Sequence, residues 1–428
     1  MTLIAPILNE SQLAAFDDIE CGDANMLILG QAGTGKSTFV NYLKSASKKR
    51  IICACPTAVS ALNIGGQTIH SLFQIQPRDF IMHEFLKLKA KPRNILVSAD
   101  LLIIDEISMV SPDLLDAMDI LARQARRSNE PFGGLQVVAI GDLFQLPPVI
   151  TREAEQYYKE AYEHPNAYFF DSHVYKRARF KKANFDLVYR QNDAALLDNL
   201  MRLRDNEAGA LEFFNDCRIA DDVRRANAVI ITPFRAAAER INADRLARID
   251  APEVLYRGEL TGNFNEKDVP SPLELILKVG ALVIFTRNVR EYGDGCLNGA
   301  TGLVLELGAK EIKLQLLNIN RDVVTIKPEK WQKIEYSTDP ETSKLTEVET
   351  GGYRQFPLSL GYAMTIHKAQ GKTLDAVVVD ISRGAFAHGQ TYVALSRTRA
   401  STDMHVASPL RPRDVIFDAR VLDFVNAI

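Results

Sequence analysis

The sequence lacks the features that lead to a membrane, a secretory route or a structural zinc site. No apolar run approaches the roughly 20 residues needed to span a bilayer, which excludes a transmembrane helix. The opening Met1-Thr2-Leu3-Ile4-Ala5-Pro6 has no basic stretch ahead of a long apolar one, so no secretory leader is expected. Cysteine is sparse and odd in number: Cys21, Cys53, Cys55, Cys217 and Cys296. Cys53 and Cys55 alternate along a strand and point the same way, but no second pair completes a zinc site. Reduced core thiols in a cytoplasmic protein are the expectation. A charge excess is missing too, with 51 Lys and Arg against 54 Asp and Glu, a net −3. Any polyanion must therefore be met by a local basic groove rather than by the chain as a whole. Candidate patches are Lys48-Lys49-Arg50, Arg123/Arg126/Arg127 and the cations between Lys176 and Lys182, each of which also reads as a solvated face. What remains is a globular composition, 46% hydrophobic and 25% charged over 428 residues, long enough for two to four domains.

The most informative stretch is Gly30-Gln31-Ala32-Gly33-Thr34-Gly35-Lys36-Ser37. Met26-Leu27-Ile28-Leu29 before it is a strand-type apolar run, and Thr38-Phe39-Val40-Asn41-Tyr42-Leu43 after it has helical spacing. Strand, glycine-rich turn, lysine, hydroxyl and helix make a phosphate-binding loop. Glycines let backbone N–H groups close around an anion, and the following helix aims its positive end at the same point. Lys36 is placed to reach the β- and γ-phosphates and Ser37 to hold Mg²⁺, so ATP with Mg²⁺ is the expected cofactor. Gln12 stands on a helical run capped by Asn9, and its amide can both donate to and accept from an adenine edge.

Leu101-Leu102-Ile103-Ile104 is a parallel-type buried strand ending in Asp105-Glu106. Carboxylates at the C-terminal end of such a strand sit where ligands bind. Asp105 suits the metal through water, and Glu106 suits orientation or deprotonation of the attacking water. Leu135 to Asp142 is another buried strand with an acidic end, and it leads into Leu143-Phe144-Gln145-Leu146-Pro147-Pro148, where Gln145 is placed to touch the γ-phosphate. A second α/β unit begins near residue 180, with Tyr189-Arg190-Gln191, the strand Ala228 to Pro233 and a helix from Gln390 to Arg399 that ends in arginines. It has no second phosphate loop and so holds no nucleotide of its own. Between 264 and 350, short strand-like pieces separated by turns at 293–295 and 298–299 read as a small antiparallel barrel. The basic stretch 74–98 breaks the α/β rhythm as a small insertion would.

Taken in order, the phosphate loop, Ile-Asp-Glu-Ile-Ser-Met, Gly-Asp-Leu-Phe-Gln-Leu-Pro-Pro-Val, Tyr-Arg-Gln, Thr-Ile-His-Lys-Ala-Gln-Gly-Lys-Thr and Tyr-Val-Ala-Leu-Ser-Arg resemble superfamily 1 helicases of the RecD-like branch. The similarity is nearest to the petite-integration-frequency helicases, with phage Dda helicase as a relation, and runs from about Asn9 to Ser408. It implies an α/β fold of two RecA-like P-loop NTPase domains, parallel sheets flanked by helices, with ATP between them. By this resemblance residues 1–178 form the first domain, with a wedge insertion at 72–98. Residues 179–263 and 351–428 form the second, and 264–350 an inserted SH3-like β-barrel. It implies an ATP-dependent helicase moving 5′-to-3′ on single-stranded DNA, acting on forked or tailed duplex DNA, working as a monomer inside the cell without a membrane. It makes Arg190 and Arg397 arginine fingers, and it groups Gly30, Ala32, Gly33, Thr34, Gly35, Lys36, Ser37, Thr38, Gly371, Lys372 and Tyr392 around the nucleotide. Tyr392 stacks near the nucleotide or packs its helix. Pro56, Thr57, Thr68, His70, Thr365, His367 and Lys368 resemble positions lining a DNA channel, with Phe73 as a base-stacking candidate. A small-molecule kinase explains neither the arginines nor the second unit. A translocase that remodels a strand without unwinding it shares these motor motifs and is the alternative. Ala58-Val59-Ser60 departs from the family, which often has a glycine there, and no long terminal extension for partner recruitment is expected.

Overall fold

A computed structural model of the chain describes residues 8–83, 86–207, 209–293, 295–317, 320–339, 342 and 344–427. Asp294 of the expected 293–295 turn lies outside these residues. The chain forms two compact units, one of residues 1–143, 147–188 and 332–350, the other of 144–146, 189–331 and 351–428.

The first unit is built on six parallel strands: β1 (Met26–Gly30), β2 (Ile51–Cys55), β3 (Gln67–Thr68), β4 (Leu101–Asp105), β5 (Gln136–Gly141) and β6 (Lys181–Phe185), in the order β3-β2-β4-β5-β1-β6. Helices on both faces bury β1, β4 and β5 completely, which is why these strands read as continuous apolar runs rather than alternating ones. Phe39 from the helix Lys36–Ala46 meets Phe185 of β6 edge-on at 5.2 Å beneath β1. Cys53 and Cys55 lie buried in β2, and burial pushes the Cys53 thiol up to about 12, so it stays protonated and inert. β6 corrects the expected boundary at 178/179. It pairs along β1, from Met26 opposite Lys181 to Gly30 opposite Phe185, and belongs to the first sheet.

The helix Pro112–Arg126 carries three buried carboxylates at helical spacing, and each is fully engaged. Asp113 accepts from the Ile81 N–H at 2.7 Å and the Tyr158 hydroxyl at 2.7 Å. Asp116 accepts from the Val174 N–H at 2.8 Å and the Tyr162 hydroxyl at 3.1 Å. Asp119 accepts from the Phe132 N–H at 2.7 Å and pairs with Arg123 and Arg177. Burying a carboxylate is costly without such partners, so these bonds fix the irregular neighbouring segments. Through Ile81 they seat the insertion after residue 74, whose regular element is the helix Ala90–Ser98. At the short β3 end of the sheet, residues 332–350 complete the unit. The Cys53 N–H donates to the Tyr336 hydroxyl at 2.9 Å, and the Tyr336 N–H donates to Gln67 Oε1 at 3.2 Å. An edge that β3 is too short to cover is thereby closed.

The second unit has a four-stranded parallel sheet in the order Ala363–Thr365, Val229–Thr232, Val377–Val379, Met404–Val406. Antiparallel strands are inserted between the first two of these in the chain. Five of them, in the order Val323–Ile326, Ile312–Leu316, Thr301–Leu307, Leu282–Phe285, Leu358–Leu360, enclose a core of Val283, Phe285, Val304, Leu314, Ile326 and Phe356. The antiparallel region is wider than the expected 264–350. The strands Val254–Arg257 and Glu259–Gly262 precede it and Leu358–Leu360 closes it, while 332–350 group with the first unit.

Candidate nucleotide and nucleic-acid sites

β1 runs straight into the phosphate loop. Gly33 and Gly35 take φ of +89° and +80°, a region costly for any residue with a Cβ, and Gly35 leads into the helix Lys36–Ala46. A Cβ on Gly30 would stand 2.6 Å from Thr34 Oγ1 and 2.9 Å from the Phe185 carbonyl, so this position needs glycine for contact as well. The Thr34 hydroxyl donates to the Gln31 carbonyl at 3.0 Å. The Lys36 ammonium arches back over the turn and donates to the Gly30 and Gln31 carbonyls at 2.7 and 2.8 Å. The first turn of the helix Lys36–Ala46 carries no acidic residue to offset its positive end. Ala32 is buried beneath the loop, and Ser37 and Thr38 are exposed.

Gln12 is buried, and its amide is engaged at both ends. Its Nε2 donates to the Thr34 carbonyl at 3.2 Å, and its Oε1 accepts from the Asn9 N–H at 3.2 Å, closing the capping box of the helix Glu10–Cys21. The residue expected at an adenine edge is thus seen buttressing the phosphate loop.

Asp105 closes β4 and Glu106 follows in the left-handed region at φ +55°. The sheet is parallel, so the ends of β4 and β1 emerge on one edge with β5 between them. Burial, followed by the Glu106 charge, pushes the Asp105 carboxyl up to about 7, and Lys36 pulls the other way. A buried carboxylate on the same edge as the Ser37 hydroxyl is the hard-oxygen donor set that suits Mg²⁺. These residues therefore fit that ion.

The other candidates divide between the units. Thr57 and Thr68 are N-caps, accepting from the Ser60 and Ser71 N–H groups at 3.1 and 3.2 Å, which turns the chain at the ends of β2 and β3. Pro56 and His70 are half-buried, and burial holds the His70 imidazole below its ordinary range. Phe73 is a correction: only 2% exposed, it lies with Ile69 and Leu72 on the buried face of a one-turn helix and cannot stack on a base.

In the second unit Thr365 repeats the N-cap pattern, accepting from the Lys368 N–H at 3.3 Å, with His367 half-buried and Lys368 exposed. Gly371 is exposed at φ +75°. The Lys372 ammonium donates to the Asn298 side chain, and burial lowers it to about 8. Gln145 is buried and groups with this unit through residues 144–146. Gly389 (φ +74°) takes the backbone of that segment so closely that a Cβ would stand 2.4 Å from the Phe144 and Gln145 carbonyls. Arg190 is half-buried. Arg397 is fully buried, and its guanidinium donates to the Val393 carbonyl at 2.6 Å, the Ala369 carbonyl at 3.3 Å and the Ser396 hydroxyl at 2.6 Å. Tyr392 is buried in the helix Gln390–Leu395, which Arg397 follows.

Arg204 was not foreseen from sequence. Its guanidinium lies 4.2 Å from the Phe144 ring centre and 5.9 Å from that of Tyr392. Its place on an amphipathic helix gave no signal beyond a cation in the last turn.

A glycine loop at the end of an interior parallel strand, with an acidic pair on the same sheet edge, defines a P-loop nucleotide-binding protein. The family model for PIF1-like helicases matches residues 7–199. The ATP-dependent DNA helicase Pif1 of Bdellovibrio bacteriovorus is 30% identical over 97% of this chain and 91% of its own length. The human ATP-dependent DNA helicase PIF1 is 30% identical over 98% of this chain, which spans 63% of that protein. Among solved structures, unliganded Pif1 from Bacteroides sp. matches with a TM-score of 0.89 at 32% identity, covering 99% of this chain and 97% of that one. Bacteroides Pif1 bound to ssDNA matches with a TM-score of 0.68 at 33% identity over the same shares. The chain belongs to the PIF1-like helicase family.

Proposed function

We propose that this chain is an ATP-dependent DNA helicase that moves 5′-to-3′ along single-stranded DNA and separates tailed or forked duplexes. The observation that carries the reading is the phosphate loop with Asp105 and Glu106 on one edge of the first sheet, in a chain of this family. Backbone N–H groups of the loop and the positive end of the following helix bind the phosphates. Lys36 exchanges its carbonyl acceptors for phosphate oxygens, so its present bonds hold it ready. Ser37 and Asp105 would hold Mg²⁺, which supplies charge neutralisation at the β- and γ-phosphates. Glu106 orients the attacking water and takes its proton.

The second unit has cations but no phosphate loop. Arg190 and Arg397 are assigned to the γ-phosphate in the closed ATP state, and for Arg397 that role requires it to leave the carbonyls of Val393 and Ala369. The N-cap threonines 57, 68 and 365, together with His367 and Lys368, are assigned to the strand. Affinity from phosphate contacts falls steeply with salt. The test is ATP hydrolysis by the full chain with and without single-stranded DNA at several salt concentrations. Stimulation that fades as salt rises supports the reading; a rate indifferent to DNA contradicts it.

A further inference from the structure

Phe386 is a large apolar side chain that the second unit leaves in solvent, at 56% relative exposure. Its backbone is nonetheless fixed. The Phe386 N–H donates at 3.0 Å to Oε1 of Gln390, which is fully buried, and Gly384 turns the loop at φ +85° with its N–H on the Ile381 carbonyl at 2.8 Å. The ring does not stand alone. Phe234 lies 5.7 Å away, tilted by 37°, and His367 lies 6.4 Å away, within 19° of parallel. Burial lowers the His367 imidazole below its ordinary range, which favours the neutral ring. The three rings follow three neighbouring strands of one parallel sheet: Phe234 after Val229–Thr232, His367 after Ala363–Thr365, Phe386 after Val377–Val379. They gather at the carboxyl ends of those strands, where open α/β sheets bind ligands. The exposed cations Lys368 and Arg383 flank them in sequence. Sequence-tolerant binding of single strands uses aromatic faces for the bases beside cations for the phosphates.

We propose that Phe386, backed by Phe234 and His367, is a stacking platform for a base of single-stranded nucleic acid. This rests on the function proposed above and adds a base contact to it. An exposed ring on a pinned backbone stacks without first being ordered, which is what a contact made and released repeatedly requires.

The experiment compares wild type, Phe386→Ala and Phe386→Trp in the full chain. Each is titrated with an oligothymidylate at several salt concentrations, and with the same oligonucleotide carrying 2-aminopurine, whose fluorescence falls on stacking. The proposal expects Phe386→Ala to weaken binding about 5- to 150-fold and to reduce quenching. It expects Phe386→Trp to restore both, and an unchanged salt slope, since no phosphate contact is lost. DNA-independent ATP hydrolysis and thermal melting stay as in wild type. Equal affinity and equal quenching in Phe386→Ala would overturn the platform while leaving the helicase reading intact. Wild type that fails to bind the oligonucleotide would overturn both.

Discussion

The two units share a parallel-sheet design and use it differently. In the first, the functional groups are locked before any ligand arrives: Lys36 is bonded to the Gly30 and Gln31 carbonyls, Gln12 braces Thr34, and Asp105 sits at the end of a fully buried strand. In the second, the sheet strands are three or four residues long, and Arg397 and Lys372 are held by carbonyl or amide oxygens. Its most exposed ring, Phe386, stands at the ends of those strands. The first unit is preorganised for an anion, which is where preorganisation contributes most to catalysis. On the function proposed, cations of both units exchange backbone carbonyls for phosphate oxygens; Lys36 does so within the loop that binds the phosphates, whereas Arg397 is buried against Val393 and Ala369 and must be released from them. Similar topology therefore supports a cation already at its site in one place and a releasable one in another.

That contrast can be broken experimentally. The largest effect is expected at the releasable cations. Replacing Arg190 or Arg397 by Ala should lower kcat by about 10³- to 10⁵-fold with ATP affinity nearly retained. An unchanged kcat with a lowered melting temperature in the Arg397 variant would leave that residue as a clamp on the helix Gln390–Leu395 alone. Next is the cation already at its site. Lys36→Ala should cost about 10²- to 10³-fold in hydrolysis, as loss of a preorganised charge contact does, and leave single-strand binding measurable. DNA-stimulated hydrolysis retained in that variant would falsify the phosphate-loop assignment.

Two phenylalanines sharpen the comparison further. Phe73→Ala should destabilise the first unit by about 3–5 kcal/mol in denaturant unfolding, with DNA affinity changing only as far as folding is lost. Phe386→Ala should show the opposite pattern, with stability within about 0.5 kcal/mol of wild type. The smallest expected effect is a pH dependence at Lys372. Its folded pKa of about 8 lies below its ordinary value. Between the two the unfolded chain holds more protons, so stability rises with pH through that window. Lys372→Met removes this term. Its stability relative to wild type should be greatest below pH 8 and should decline above it, and a difference flat with pH would contradict the buried ammonium.

What the sequence made legible follows from how local the signal is. The phosphate loop was readable because its geometry depends on eight contiguous residues whose backbone demands are specific. β4 and β5 were readable because strands buried on both faces must be apolar throughout. β6 was misread because an edge strand of Lys181, Lys182, Ala183, Asn184 and Phe185 buries only its last residue fully. The spacing of Ile69, Leu72 and Phe73 already spelled a buried face, which the stacking role for Phe73 ignored. Asp113, Asp116 and Asp119 gave no sign of burial, because their partners come from segments up to 58 residues away. The Phe386 cluster was equally hidden, since its rings follow three separate strands and meet only once the sheet is built.

The most direct test of the central claim is strand separation with matched 5′-tailed and 3′-tailed DNA duplexes, with ATP and Mg²⁺, using the full chain. The account predicts separation of the 5′-tailed duplex, abolished by Lys36→Ala, and little of the 3′-tailed one. Hydrolysis stimulated by the single strand without separation of either duplex, or separation of the 3′-tailed duplex alone, would contradict it.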